Sequence, residues 1–371
     1  MITQILIFLL VLSVLILAHE FGHYWVAKKN NVWVEEFGFG LPPRIWSKKI
    51  GQTIWSVNLL PFGGFVRLHG ENTEEDLAKP TRAFSNKSKK ARIAIITAGV
   101  FMNVVLAIFA FAITYSFTGI PRETDRVKVL EVDAGSPAQT AGILVGDTIS
   151  SVGKESVESV SEFIELVDAN KGDKVSIVLV GKEKGETVEK KVSIRPRENP
   201  PEGEGPLGVT ISSTEIYFPP IWQRPFVGIY YGLKDALFWG KTIVVGFFGL
   251  FVNLFKGEGT PRGISGPVGI FAVTSQAASY GALSLINFIG ILSLNLAVLN
   301  IIPFPALDGG RLLFIFLEKF MGRKVLPKVE AIIHSVGMII LLILLLAVTV
   351  KDIRLLIQSG SLSGFVDKIL N

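Results

Sequence analysis

The stretch LILAHEFGHYWVAKK, residues 15–29, places two histidines and a glutamate inside an apolar segment. Ionisable groups are costly in hydrocarbon, so those within a membrane-spanning segment usually line a site or a path. His19 and His23 are four residues apart, so on an α-helix they share one face and can reach one ion. Glu20 lies beside them. This is the H-E-x-x-H pattern, which combines two zinc ligands with a general base.

The composition of the chain predicts a membrane protein. Hydrophobic residues make up 49% of its 371 residues, and its mean hydropathy is +0.48. A bilayer crossing needs about 20 apolar residues, and four runs reach this length: residues 5–27, 91–117, 283–302 and 332–350. The sequence contains no cysteine, so any metal site must use histidine and carboxylate ligands.

The distribution of charge predicts the orientation in the membrane. The net charge of +5 is concentrated between the first two runs, in residues 28–92, and after the third, in residues 311–328. The positive-inside rule places both stretches in the cytoplasm. The N-terminus and residues 119–225 are then outside the cell. Because topology explains these charges, we expect no nucleic-acid partner.

The extracytoplasmic segment has the pattern of a small soluble α+β domain. Short strands rich in valine and isoleucine alternate with glycine and aspartate turns, and one amphipathic helix is predicted near residues 161–168. GSPAQTAGILVGDTISSVGK, residues 135–154, resembles the PDZ domains of bacterial proteases, and PLGVTIS, residues 206–212, resembles their peptide-binding loop and strand. The sequence contains one such unit.

A fifth apolar stretch, residues 226–255, is interrupted by Lys234, Asp235 and Lys241. A full crossing here would move the second basic stretch outside, against the charge rule. We therefore predict a helix that lies in or dips into the outer interface. Four crossings remain.

A catalytic zinc ion usually has a third protein ligand and leaves its fourth position to water. Of the other two histidines, His69 lies in the basic loop and is expected to be exposed. His334, near the start of the last span, is expected to be a hydrogen-bonded interior histidine. The better candidate is Asp308.

Asp308 lies in NIIPFPALDGG, residues 300–310, where Asn300, Pro303 and Pro305 interrupt a helix at membrane depth. Irregular backbone at that depth is tolerated only when it is buried in protein or lines a polar cavity. The first span and the span that begins near residue 283 both run inward in the predicted topology. Asp308 therefore reaches the same level as His19 and His23.

Five motifs occur here in the order found in site-2 proteases: HEFGH (19–23), GVFMN (99–103), a single PDZ insert, SGPVGI (265–270) and NIIPFPALDGG. Nearly the whole chain resembles the bacterial regulator of sigma-E protease group. The resemblance implies one zinc ion per chain, held by His19, His23 and Asp308, and Glu20 as the catalytic base. It also implies that Asn300, Pro303 and Pro305 form a substrate-holding turn. Many enterobacterial members carry two PDZ domains, whereas this chain has one.

QTIWSVNLLPFGGFVRLHGE, residues 52–71, predicts a β-hairpin with a turn near Pro61 and the Gly63–Gly64 pair. The simple interpretation is a cytoplasmic hairpin. In the family that this chain resembles, the matching segment is a membrane-associated β-element near the active site. Its exposed edge could accept an unwound substrate as an added strand.

Together these patterns predict a polytopic α-helical membrane protein with four transmembrane helices, an inserted α+β PDZ domain and a membrane-associated β-hairpin. We expect four parts. Residues 1–118 form the N-terminal half of the core, residues 119–215 the PDZ domain, residues 216–282 an interfacial helix with a linker, and residues 283–371 the C-terminal half of the core.

The resemblance implies an intramembrane zinc endopeptidase of the bacterial inner membrane, with its active site toward the cytoplasm and its PDZ domain outside. Its partners would be the lipid bilayer, single-span substrates of the anti-sigma-factor or remnant-signal-peptide type, and peptide C-termini at the PDZ domain. Cleavage would follow a first cut outside the membrane. Two alternatives are a membrane scaffold with a structural metal site, which would not need Glu20, and a metal transporter, which would need ligands along several spans.

Overall fold

The computed structural model describes residues 2–71, 78–183, 186–201, 203–256, 265–322, 325 and 327–370. The linker residues 257–264 and the basic residues Arg323 and Lys324 lie outside this part of the chain. The chain divides into two compact units. One consists of Met1–Phe117 with Pro219–Asn371, and the other of Thr118–Phe218.

The helices and strands are named in chain order. The helices are α1 (Ile2–Lys29), α2 (Lys89–Thr118), α3 (Pro137–Thr140), α4 (Val160–Ala169), α5 (Arg224–Lys256), α6 (Pro267–Ser279), α7 (Ala282–Ile301), α8 (Asp308–Met321), α9 (Pro327–Ser359) and α10 (Leu362–Leu370). The strands are β1 (Val34–Ile50), β2 (Thr53–Leu68), β3 (Ile120–Val132), β4 (Thr148–Val152), β5 (Glu155–Ser156), β6 (Val175–Glu183), β7 (Glu186–Ile194) and β8 (Val209–Tyr217).

Within the described residues, four helices are long and apolar enough to cross a bilayer. They are α1, α2, α7 and the Val329–Ser359 part of α9. These helices coincide with the four apolar runs of the sequence, so the prediction of four membrane helices is confirmed in length and composition. The side of the membrane on which each loop lies stays a prediction.

The interrupted stretch at residues 226–255 forms one continuous helix, α5, which packs closely against α2. A Cβ atom at Gly228 would lie 2.6 Å from the carbonyl oxygen of Ala112, and one at Gly232 would lie 2.7 Å from that of Ile108. Small residues four apart allow such close backbone approach between helices in membranes. Asp235 accepts a hydrogen bond from the α2 residue Tyr115 at 2.6 Å, so this carboxylate has a protein partner.

Strands β1 and β2 form an antiparallel hairpin whose tight turn is at Gly51 and Gln52. The predicted turn near Pro61 is correct only as a reversal of the chain, because residues 54–57 and 64–67 run in opposite directions but pair with residues 36–39 and not with each other. Gly51 has a left-handed backbone (φ +63°), which glycine adopts without steric cost, whereas Pro61–Gly64 is a bend inside β2.

Because both strands bend, residues 36–39 pair with residues 64–67 on one side and with residues 54–57 on the other. Residues 54–57 pair in turn with the end of β1, residues 46–49. Four short segments therefore lie side by side in the order 64–68, 34–39, 53–57 and 44–50. Residues 64–68 form one edge of this small sheet, and we call them the edge segment.

The second unit is built on an antiparallel sheet with the strand order β7-β6-β4-β3-β8, and β5 pairs with β4. Its core includes Val127, Ile177 and Leu179, which are all fully buried. The helix predicted at residues 161–168 is α4. Its N-terminus is capped by Ser159, whose hydroxyl oxygen accepts from the backbone N–H of Glu162 at 3.2 Å.

The SGPVGI motif begins α6 and binds a buried carboxylate from α9. The backbone N–H groups of Gly266 and Gly269 donate to the same oxygen of Asp352, at 2.8 and 2.9 Å. Carboxylates are favourable at helix N-termini, where backbone N–H groups have no partner within the helix. Asp352 is 1% exposed, and this contact provides its hydrogen bonds within the protein.

Candidate metal centre

The structure brings His19, His23 and Asp308 together although Asp308 is 285 residues further along the chain than His23. The Nε2 atoms of His19 and His23 lie 3.0 and 3.3 Å from Oδ2 of Asp308 and 3.1 Å from each other. Ligands at about 2.0–2.1 Å from a tetrahedral zinc ion lie about 3.3–3.4 Å apart. These three atoms could therefore hold one ion.

Asp308 reaches the histidines because the chain between α7 and α8 turns sharply. α7 ends at Ile301, and Asp308 is the first residue of α8. A Cβ atom at Gly309 would lie 2.5 Å from the carbonyl carbon of Ile302, and one at Gly310 would lie 3.1 Å from the Cα of Pro305. The two glycines of LDGG therefore allow the first turn of α8 to lie directly against the preceding loop.

One backbone contact and one side-chain contact from α2 orient the imidazole rings of His23 and His19. Nδ1 of His23 lies 2.9 Å from the carbonyl oxygen of Ile95, to which it donates. Nδ1 of His19 lies 3.2 Å from the amide nitrogen of Asn103, which is fully buried and whose Oδ1 has no hydrogen-bond partner among the described residues. When the side-chain amide of Asn103 is turned by about 180°, Oδ1 takes the place of the nitrogen and accepts a hydrogen bond from Nδ1–H of His19. Both histidines then direct a free Nε2 lone pair at the metal position.

The GVFMN motif is explained by these contacts. A Cβ atom at Gly99 would lie 2.7 Å from Cε1 of His19, so only glycine allows α2 to approach the two rings. Asn103 is one helical turn further on and faces the same ring. The sequence alone assigns no role to this motif. The available signal was its spacing, because Gly99 and Asn103 share one face of an apolar helix.

Glu20 lines the same cavity of about 760 Å³ as the three candidate ligands. It is half-buried, and the backbone of Val66 in the edge segment lies near its carboxylate. A Cβ atom at Gly64 would lie 3.5 Å from Cγ of Glu20. The edge segment therefore passes directly over the candidate base.

The predicted substrate-holding residues lie at different distances from the ligands. Asn300 comes close, with its amide nitrogen 3.4 Å from Nε2 of His19. Pro303 is exposed and Pro305 is half-buried in the loop between α7 and α8. The structure thus brings Asn300 into the metal centre and places both prolines in the turn that leads to Asp308.

The two remaining histidines lie outside the cluster of ligand atoms. The expected exposure of His69 was wrong, because it is 6% exposed. Its Nδ1 lies 2.7 Å from Glu35, and its Nε2 accepts from the backbone N–H of Lys79 at 3.2 Å. The hairpin and the ring of Trp33, 4.8 Å away, cover it. The expectation for His334 is confirmed, since it accepts a hydrogen bond from the backbone of Ala306.

Two ion pairs hold α8, the helix that begins with Asp308. Arg92 of α2 forms a buried bidentate pair with Glu318. Arg311, one turn after Asp308, pairs with Glu71. The other oxygen of Glu71 accepts from the backbone N–H of Leu68, the last residue of the edge segment, at 3.3 Å. α8 is therefore tied both to α2 and to the small sheet.

Asp308 lies outside the four membrane-length helices, and its carboxyl must be ionised to bind a metal. Burial raises the pKa of this carboxyl. The neighbouring imidazole rings of His19 and His23 have the opposite effect, and they hold the pKa of Asp308 below its usual range. The carboxylate form is therefore favoured at neutral pH.

The fold and the site define a membrane metallopeptidase of the H-E-x-x-H type. Residues 7–344 match peptidase family M50, and the chain belongs to that family. It is a multi-pass membrane zinc metalloendopeptidase of the site-2 protease type, and its cofactor is zinc.

Similar proteins come from several bacteria. A protein of Clostridium acetobutylicum, provisionally named a zinc metalloprotease, is 34% identical over 94% of this chain and 97% of its own length. Zinc metalloprotease RasP of Oceanobacillus iheyensis is 28% identical over 95% of this chain and 99% of its own. The solved PDZ domain of an SdrC-like protein from Listeria innocua is 32% identical, covering 25% of this chain and all of that chain, with a TM-score of 0.20.

Proposed function

We propose that this chain cleaves single-span membrane proteins within or near their transmembrane segments, after a first cut outside the membrane. One observation carries the proposal. The three candidate ligand atoms and Glu20 lie among helices of membrane length, beside the edge segment, which has no second strand partner in the described part of the chain. Substrates of the anti-sigma-factor or remnant-signal-peptide type have the required single span.

In this proposal His19, His23 and Asp308 hold the zinc ion. The bound ion supplies a Lewis acid that polarises the scissile carbonyl and lowers the pKa of water to about 7. Glu20, beside the ligands but not among them, takes a proton from the attacking water and passes it to the leaving amine.

The edge segment and the turn at residues 300–305 hold the substrate. A peptide bond within a helix is shielded by its own hydrogen bonds, so the substrate must unwind before attack. Residues 64–67 pair with residues 36–39 on one side, and an extended peptide can add to the other side as a further strand. Asn300 lies close enough to His19 to bind the backbone of such a peptide, and Pro303 and Pro305 shape the turn.

The topology and domain roles belong to the same proposal. The active site faces the cytoplasmic side of the bacterial cell membrane, and β1 and β2 associate with the membrane surface. Residues 119–215 form an extracytoplasmic PDZ domain that binds newly exposed C-termini or excludes bulky substrates. Residues 216–282 form an interfacial helix and linker between the core halves 1–118 and 283–371. The edge position of β8 in its sheet supports a peptide-binding role.

The proposal is tested with purified protein, zinc and a model single-span substrate in detergent. Glu20→Gln removes the base and keeps all three ligands, so we expect cleavage to fall by about 10²–10⁴-fold while zinc stays bound. Mass spectrometry of the fragments places the cut relative to the span. Cleavage confined to exposed loops, or substantial turnover by Glu20→Gln, would contradict the proposal.

Comparison of an intact with a pre-trimmed substrate tests the order of cleavage. We expect the wild type to prefer the trimmed form and a variant lacking residues 127–212 to lose this preference. Its zinc content should not change, because no proposed ligand lies in that segment. Equal ratios in the two proteins would place selectivity in the membrane core.

A further inference from the structure

His334 makes a direct contact with the turn that leads to Asp308. Its Nδ1 accepts a hydrogen bond from the backbone N–H of Ala306 at 2.8 Å. Ala306 has a φ of +77°, a left-handed conformation that is unfavourable for residues other than glycine and persists only when the surroundings hold it. The hydrogen bond from His334 is one such restraint, two residues before the candidate ligand.

This hydrogen bond determines which nitrogen of the ring carries the proton. An Nδ1 that accepts from Ala306 is unprotonated, so in the neutral ring the proton is on Nε2. Nε2 is buried without a hydrogen-bond partner in the described part of the chain and lies 3.7 Å from Glu330. Because Nδ1 accepts from Ala306 and Nε2 carries the proton, the neutral ring has no free lone pair with which to bind a metal ion.

A second contact from α9 meets the same turn. Gly337 lies one helical turn after His334, and a Cβ atom there would lie 2.5 Å from Cβ of Pro305 and 2.7 Å from its carbonyl oxygen. The apolar middle of α9, residues 338–346, is largely exposed, so the contacts at His334 and Gly337 contribute strongly to holding this helix against the turn. His334 and Gly337 together fit α9 against residues 305 and 306.

We propose that His334 is a positioning residue for the metal centre and for the substrate-holding turn. It fixes the left-handed turn at Ala306 and so places Asp308 at the two histidines and the Pro303–Pro305 segment beside the substrate path. The metal part of this inference rests on the geometry of residues 305–308, and the substrate part rests on the proposed function. His334 touches neither the reacting atoms nor the metal.

Three variants separate the acceptor of His334 from its size. In His334→Asn, the side-chain oxygen takes about the position of Nδ1 and can still accept from Ala306. His334→Gln reaches the position of Nε2 instead, and His334→Ala has no acceptor. Thr349→Val on the same helix is the matched control, because this hydroxyl donates to Leu345 of its own helix at 2.7 Å.

Zinc affinity is measured first, by competition with a chelator, because it does not depend on a substrate. Loss of a group that orients a ligand typically weakens metal binding 10–100-fold. We expect a loss of about tenfold or more for His334→Ala and His334→Gln, a loss below about threefold for His334→Asn, and no change for Thr349→Val. Helix content by circular dichroism establishes that each variant is folded.

Kinetics with the model substrate at saturating zinc then test the turn. If the turn holds the substrate, KM rises in His334→Ala and His334→Gln and recovers in His334→Asn. Equal zinc affinity in wild type and His334→Ala, or equal defects in His334→Asn and His334→Ala, would overturn the positioning role. Failure of the wild type to cleave any single-span substrate would instead contradict the proposed function, and the zinc measurement would still stand.

Discussion

The two compact units of this protein are held together in different ways. One is the sheet domain, Thr118–Phe218, and the other contains the membrane-length helices and the candidate metal centre. The core of the second unit is one continuous cluster that includes Val127, Val129, Ile177 and Leu179. In the first unit the apolar clusters are smaller and separate, and fully buried polar groups such as Asn103 and Ser293 lie between the helices.

This difference follows from the solvent around each unit. In water, apolar burial drives folding, so hydrophobic residues specify the core. In lipid, apolar side chains gain little from facing protein, and helices associate through close packing and hydrogen bonds. Ser293 of α7 donates to the backbone oxygen of Asn103 at 2.8 Å, and Gly99 and Gly232 allow close approach. In the first unit, polar and small residues therefore determine how the helices pack, as apolar residues do in the sheet domain.

The largest expected effect is at Asp308, the third candidate zinc ligand. Asp308→Ala removes a ligand and leaves only two histidines, so we expect loss of both bound zinc and activity. The measurement is the zinc-to-protein ratio of the purified protein. Glu318→Gln on the same helix is the comparison, since it weakens the pair with Arg92 without removing a ligand. A ratio near one in Asp308→Ala would show that another residue completes the site.

A pair of leucines tests the contrast between the two solvents. Leu179→Ala creates a cavity in the sheet domain and should lower its stability by about 2–5 kcal/mol. Leu342 of α9 is 55% exposed in the protein, where lipid would contact it, so Leu342→Ala should change stability by less than about 0.5 kcal/mol. Denaturant unfolding of the purified variants measures both. Similar losses of stability in the two variants would mean that α9 is packed against protein, and they would contradict the proposed difference between the two units.

The smallest effect is expected from a residue that only orients a ligand. Asn103→Ala leaves all three ligand atoms in place and removes the partner of His19, so zinc affinity should fall by about 10–100-fold. Thr97→Val on the same helix is the control, because its hydroxyl donates to Ile93 of its own helix at 2.9 Å. Unchanged affinity in Asn103→Ala would mean that packing alone orients the ring.

The features that could be predicted from the sequence depend on local spacing. The H-E-x-x-H pattern places His19 and His23 on one face of any helix that contains it, and four apolar runs of sufficient length indicate four membrane helices. The helix at residues 160–169 and the short strands around it follow from periodicity. Asp308 was identified through irregular backbone at membrane depth, which has few purposes other than lining a site.

The errors concern contacts between distant segments. The turn of the hairpin was placed at Pro61, although Gly51 forms it, because a chain reversal inside β2 has the same local pattern as a hairpin turn. The burial of His69 depends on Glu35 and the ring of Trp33, which the chain brings together only through the hairpin. No property of His69 and its immediate neighbours in sequence indicates these partners.

The sequence by itself thus determined the membrane class, the candidate ligands and the candidate base, because hydropathy and helical periodicity act over a few residues. Tertiary structure alone decided that Asp308 meets the histidines at 3.0 and 3.3 Å, that Asn103 and Ile95 orient their rings, and that His334 holds the turn at Ala306. These contacts join residues far apart in the chain. Their geometry depends on how helices pack in three dimensions, and in a membrane the hydrophobic pattern does not specify that packing.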